Sequence, residues 1–112
     1  MNRRLDRINE RIHRTFGEIL QREADLESGV LVTVTRVQTS VNRRAATVWL
    51  SVWPAAQAAV VVAELRANLY ALQGSLNRAL QAKVVPRVRL EVDTSADDAD
   101  RHERNRHAPE PA

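Results

Sequence analysis

The sequence predicts an α+β fold in which helices cover one face of a mixed three-stranded sheet. Two amphipathic helical stripes, at residues 3–24 and 55–82, flank a pair of Val- and Thr-rich segments, and a short alternating segment follows the second stripe. Neither stripe can bury its apolar side alone, and one shared sheet face gives both a place to pack. A chain of 112 residues is long enough for one such domain.

The first stripe is Leu5, Ile8, Ile12, Phe16, Ile19 and Leu20, spaced 3, 4, 4, 3 and 1. That spacing lines one side of a helix. Arg4, Arg7, Arg11 and Arg14 run beside it as a basic stripe. Gly17 costs a helix about 1 kcal/mol relative to Ala, so its presence predicts a close approach there. The Leu26–Gly29 segment reads as a loop. Residues 30–41 lack helical period and are rich in β-branched side chains, which predicts a strand. Val41, Asn42, Arg43 and Arg44 form the expected turn. Ala46, Val48, Leu50 and Val52 then alternate with Thr47, Trp49, Ser51 and Trp53, a second strand and hence a hairpin.

Pro54 ends that strand and suits the first turn of a helix. Val62, Leu65, Leu69, Leu72, Leu76 and Leu80 follow at spacings of 3, 4, 3, 4 and 4. Gly74 interrupts this stripe, which predicts two helices meeting at a kink there. Pro86 forbids further helix. Val88, Leu90 and Val92 alternate with Arg87, Arg89 and Glu91, a third strand. The folded domain is thus expected to span residues 1–95. Residues 96–112 hold almost no large apolar side chain to offset ordering entropy, and are predicted to be a disordered charged tail.

Charge points to a polyanion. Between Val30 and Leu90 there are eight basic residues (Arg36, Arg43, Arg44, Arg66, Arg78, Lys83, Arg87 and Arg89) and one acid, Glu64, a net of +7. Positive charge on a folded surface attracts nucleic acid and speeds encounter with it. Of 17 basic residues all but Lys83 are Arg. The guanidinium fork matches phosphate and stacks on bases, although GC-rich coding enriches Arg equally. The candidate RNA contacts are Arg4, Arg7, Arg11, Arg36, Arg43, Arg44, Arg78, Lys83, Arg87 and Arg89, with Arg78 and Lys83 expected near Arg87 and Arg89. Trp49 and Trp53 share one strand face. They could stack on bases, but packing under the first helix or dressing the sheet's outer face is the favoured reading.

Catalysis finds little support. His13 is on the first helix, while His102 and His107 lie in the tail. A tail metal site from Asp97, Asp98, Asp100, His102 and His107 would lack a rigid frame, so no metal and no cofactor are expected. Cysteine is absent, which is compatible with a reducing cytoplasm, and no apolar run is long enough for a membrane span. The Arg-rich start has the look of a mitochondrial presequence, but Asp6, Glu10 and Glu18 argue against that. Gly17, Gly29 and Gly74 are too sparse for a nucleotide-binding loop, and for the GxxG clamp of ordinary KH modules. The element order α-β-β-α-α-β is nonetheless that of a type II KH fold.

The chain resembles the ribosome-binding factor A family over about residues 4–95. Residues 4–12 look like the family's opening helix, residues 32–37 its first strand and residues 46–52 its second, where an aromatic is usual at Trp49. Gly74 matches the glycine of the family's inter-helix kink, which replaces the KH clamp. Residues 85–95, with Pro86 and the Asp93-Thr94-Ser95 ending, match its closing strand and are the most specific part. Asn42, Leu72 and Asn77 depart from the family's usual Asp, Ala and Arg. The resemblance implies a non-catalytic, cytoplasmic, monomeric assembly factor. It would bind the immature 30S subunit and assist late maturation and end-processing of 16S rRNA. The alternatives are a generic KH-like nucleic-acid-binding module, or an interaction domain dimerising through Trp49 and Trp53.

Overall fold

The computed structural model describes residues 3–94. Helix α1 (Arg3–Glu23) precedes strands β1 (Leu31–Thr39) and β2 (Ala45–Trp53). Helices α2 (Ala58–Ala67) and α3 (Leu69–Leu80) follow, and β3 (Arg87–Val92) closes the fold. β1 pairs with β2 antiparallel and β2 with β3 parallel, so β2 is the centre of a mixed sheet. α1 packs on β1 and α3, and α2 packs on β2 and β3. This is the predicted architecture, with all three helices on one face. The predicted disordered tail lies outside the described residues.

Alternation along the strands separates the two faces. Val34, Val37, Val48, Leu50, Val88 and Leu90 point inward and meet Ile12, Phe16 and Ile19 of α1, Val62 and Leu65 of α2, and Leu72, Leu76 and Leu80 of α3. Burying each such side chain stabilises the fold by about 1.5–3 kcal/mol. The Asn9 side-chain oxygen fastens α1 to the end of β1, accepting the Thr39 N–H at 2.9 Å and the Thr39 hydroxyl at 2.6 Å. A Cβ at Gly17 would meet Val34 Cγ2 at 4.0 Å, which is ordinary contact, so the close approach predicted there is not found. A bulge in β1 between Val34 and Arg36 sets Arg36 opposite Trp49. The bulged Thr35 hydroxyl bonds the Asp93 carboxylate at 2.5 Å.

Two helices do meet between the hairpin and β3, but not at Gly74. The break falls at Asn68 (φ −99°, ψ 12°), and Gly74 lies inside the regular helix α3. The Asn68 N–H reaches the carbonyls of Glu64 and Leu65, while its own carbonyl accepts the Leu72 N–H and starts α3. Asn is a poor helix former that favours helix ends. A break of one residue leaves the leucine stripe in phase, so the spacing alone cannot reveal it. The Cβ missing at Gly74 would meet only the flexible end of Arg78, at 3.4 Å. Leu72, at the family's usual Ala position, is core.

Candidate nucleic-acid interface

The basic site is built where the hairpin loop meets the start of β3. Asn42 shapes the loop: its side-chain oxygen accepts the Ser40 hydroxyl at 2.7 Å and the Arg44 N–H at 3.0 Å. An amide oxygen thus fills the acceptor role open to a carboxylate at this position, without the negative charge. Arg43 takes a left-handed backbone (φ 61°), as tight turns require. The Arg87 N–H donates to the Arg44 carbonyl at 2.9 Å and ties the loop to β3. Arg44, Arg87 and Arg89 then line an open cavity of about 510 Å³ together with Ala45, Val84 and Val85. Three guanidinium groups around an apolar floor can take a phosphate and the flat body attached to it.

Two side chains outside the candidate RNA contacts hold β3 in place. Gln73 of α3 accepts the Val88 N–H at 2.8 Å and donates to the Pro86 carbonyl at 3.1 Å. Arg66 of α2 donates to the Leu90 carbonyl at 2.6 Å and lies 3.6 Å from Glu91. The outer edge of β3 is thereby occupied by side chains, which fixes the strand carrying Arg87 and Arg89 and blunts strand addition there. A polar residue at a half-buried helix position is the only sequence signal for Gln73, and it is a weak one.

Arg87 and Arg89 belong to the uncovered face of the sheet. So does Arg36, whose guanidinium stacks 3.9 Å from the centroid of Trp49. Trp49 is half-buried and Trp53 exposed, both on this outer face, so of the two packing arrangements expected for them it is the outer one that occurs. Among the described residues two acids stand on this face and both are engaged: Glu91 is 3.6 Å from both Arg66 and Arg89, and Asp93, just past β3, accepts the Thr35 hydroxyl.

The remaining candidates lie elsewhere. Arg4, Arg7 and Arg11 are exposed on α1, on the other side of the sheet from Arg36, Arg87 and Arg89. Arg11 also donates to the Leu80 carbonyl at 3.1 Å, where a cation satisfies the end of α3. Arg78 does not join Arg87 and Arg89. It donates to the Ser75 hydroxyl at 3.1 Å, and Ser75 donates to Glu23 at 2.6 Å. The Ser75 hydrogen bond, aided by Arg22 and Arg78, holds the Glu23 carboxyl below its ordinary pKa despite partial desolvation. Lys83 is exposed between α3 and β3 and is not among the residues lining the cavity. Among the described residues no group of three or more His, Cys, Asp or Glu could hold a metal ion. Nor is any helix among them long and apolar enough to cross a membrane.

The sequence model of the ribosome-binding factor A family matches residues 4–105. The chain belongs to that family. The family's member from Bradyrhizobium diazoefficiens is 33% identical over 102 residues, covering 88% of this chain and 70% of its own. The crystal structure of ribosome-binding factor A from Thermus thermophilus superposes with a TM-score of 0.67 at 18% identity, over 79% of this chain and 94% of that one. A homology model of the Thermus thermophilus factor, fitted into a cryo-EM map of its complex with the 30S subunit, gives a TM-score of 0.60 at 21% identity. That match covers 78% of this chain and 92% of the other. The fold shared with them is the KH-like one, in which this family member carries its inter-helix break at Asn68.

Proposed function

We propose that this chain is a cytoplasmic, non-catalytic maturation factor that binds the 30S ribosomal subunit and assists late folding and end-processing of 16S rRNA. The observation that carries this reading is the convergence of Arg44, Arg87 and Arg89 on one open cavity, in a chain of this family. The 30S complex of the Thermus thermophilus relative supports the choice of partner. Residues 1–95 would form the RNA-binding domain, with residues 96–112 as an appended tail. Phosphate contacts position such a protein, and the shape of folded RNA supplies selectivity.

Co-sedimentation with purified 30S subunits, 50S subunits and an unrelated structured RNA, at low and near-physiological salt, tests the proposal. Selective pelleting with 30S subunits is expected, falling as salt rises. The double reversal Arg87→Glu/Arg89→Glu should abolish pelleting at the higher salt while leaving thermal unfolding nearly unchanged, since both side chains are exposed. Equal pelleting with all three partners would reduce the chain to a generic basic module.

A further inference from the structure

The outer face of the sheet is left bare by the helices, and its make-up is unusual for a solvated surface. Leu31 and Trp53 pair directly across the β1–β2 ladder, and each is 65% exposed. Two outward-facing pairs further along β2, Trp49 lies under the Arg36 guanidinium at 3.9 Å. Thr33 and Ser51 pair between these two rows. Beyond Trp49 come Gln38, Thr47 and Arg89, one row across the three strands, and then Arg87 beside Ala45. One face thus grades from apolar and aromatic at the Trp53 end, through hydroxyls and the paired carboxylates of Asp93 and Glu91, to cationic at the cavity of Arg44, Arg87 and Arg89.

We infer that this face is a binding track for single-stranded RNA, running along β2 from the arginine cavity to Trp53. The inference deepens the proposed function by naming the state of the RNA and the surface that reads it. Charge decides the occupant. The cationic end suits phosphate, and the acids of the face are already engaged, Glu91 with Arg66 and Arg89 and Asp93 with the Thr35 hydroxyl. The flat groups suit unpaired bases, because Trp rings and Arg guanidinium planes both stack on nucleobases. The Arg36–Trp49 stack presents such a plane to solvent, and Trp53 presents a second. Trp49 and Trp53 are four residues apart on one strand, about 13 Å at the usual strand rise. The Ala45–Trp53 span gives about 26 Å of track, room for roughly four nucleotides. Bases inside a duplex are stacked on one another and cannot use these planes.

The chain has two Trp residues, and both stand on this face, so intrinsic Trp fluorescence reads the track directly. The full chain is titrated with an eight-nucleotide uridine RNA, and separately with a duplex of equal length, at low and near-physiological salt. Quenching by the single strand, weaker at higher salt and absent with the duplex, is expected. Trp53→Ala should weaken binding of the single strand roughly tenfold, the order lost with one base–aromatic stack. Arg36→Ala should weaken it without unfolding the chain. No quenching at low salt, equal quenching by the duplex, or unchanged affinity in both variants would overturn the inference. So would concentration-dependent dimerisation that Trp53→Ala abolishes, since Leu31 and Trp53 would then serve a second copy. 30S co-sedimentation of the same samples keeps the two proposals apart. Retained pelleting without oligonucleotide quenching removes the track alone, and quenching without 30S selectivity removes the ribosomal assignment alone.

Discussion

The two faces of β2 are made from the same nine residues and do opposite work. Ala46, Val48, Leu50 and Val52 are buried against helices, whereas Thr47, Trp49 and Ser51 are half-buried and Trp53 is exposed. On the inner face every side chain is apolar and branched or small, and its contribution is burial. The outer face instead sets Trp49 under the Arg36 guanidinium and Trp53 beside an equally exposed Leu31. A sheet two layers deep needs only one apolar face. What stands on the other is free to vary, so large aromatics and arginines there require an explanation that Val48 and Leu50 do not.

Truncation on each face should therefore separate stability from binding. Leu50 is fully buried beneath the helices, and Leu50→Ala should cost about 2–5 kcal/mol in chemical denaturation, the range for cavities in a packed core. Trp49→Ala deletes more atoms but from the half-buried face, and should cost about 1–2 kcal/mol, part of it the lost Arg36 stack. RNA binding should follow the reverse order, with the folded Leu50 variant near wild type and the Trp49 variant impaired. Equal stability losses would mean that the outer face is packed as tightly as the inner one, and the contrast would fail.

The helical pair offers a smaller test. Gly74 lies within α3, and an added methyl would meet only Arg78 Nη1, at 3.4 Å. Gly74→Ala should accordingly raise stability by up to about 1 kcal/mol, read as a shift in the denaturation midpoint. A destabilised variant would restore the kink to Gly74.

That pair also shows what was legible in the sequence. Strands β1, β2 and β3 and the long helix α1 follow from period and composition, because burial on one side imposes the spacing. The arginine cavity was legible in part. Arg44, Arg87 and Arg89 stand out as charges, but only the parallel pairing of β3 with β2 brings the hairpin loop to them. Arg78 shows the limit of reading from neighbourhood along the chain. It lies nine residues before Arg87, yet its place on α3 turns it toward Ser75 and the end of α1. Asn68 was hidden for a different reason, since the helix break there does not disturb the leucine phase. The bulge that sets Arg36 on Trp49 is marked in β1 only by two consecutive polar residues, Thr35 and Arg36, where the alternation slips from Val34 to Val37.

The smallest expected effect tests the region facing away from the track. Glu23 has its pKa lowered first by the Ser75 hydroxyl and then by Arg22 and Arg78. A carboxyl whose folded-state pKa is depressed adds stability at pH above its ordinary value, and that stability is lost as pH falls through the folded value. Ser75→Ala removes the largest cause, so the Glu23 pKa should move up toward its ordinary value in a carboxyl-carbon NMR titration. The acid limb of the stability profile should become shallower at the same time. Because Glu23 is solvent-facing, the change in stability should be slight and partly screened by salt. Single-stranded RNA affinity should not change, since Ser75 and Glu23 lie across the core from Arg36 and Trp49. A loss of affinity in this variant would mean that charge at the α1–α3 junction also faces the RNA, and the division of labour between the two faces of the sheet would have to be redrawn.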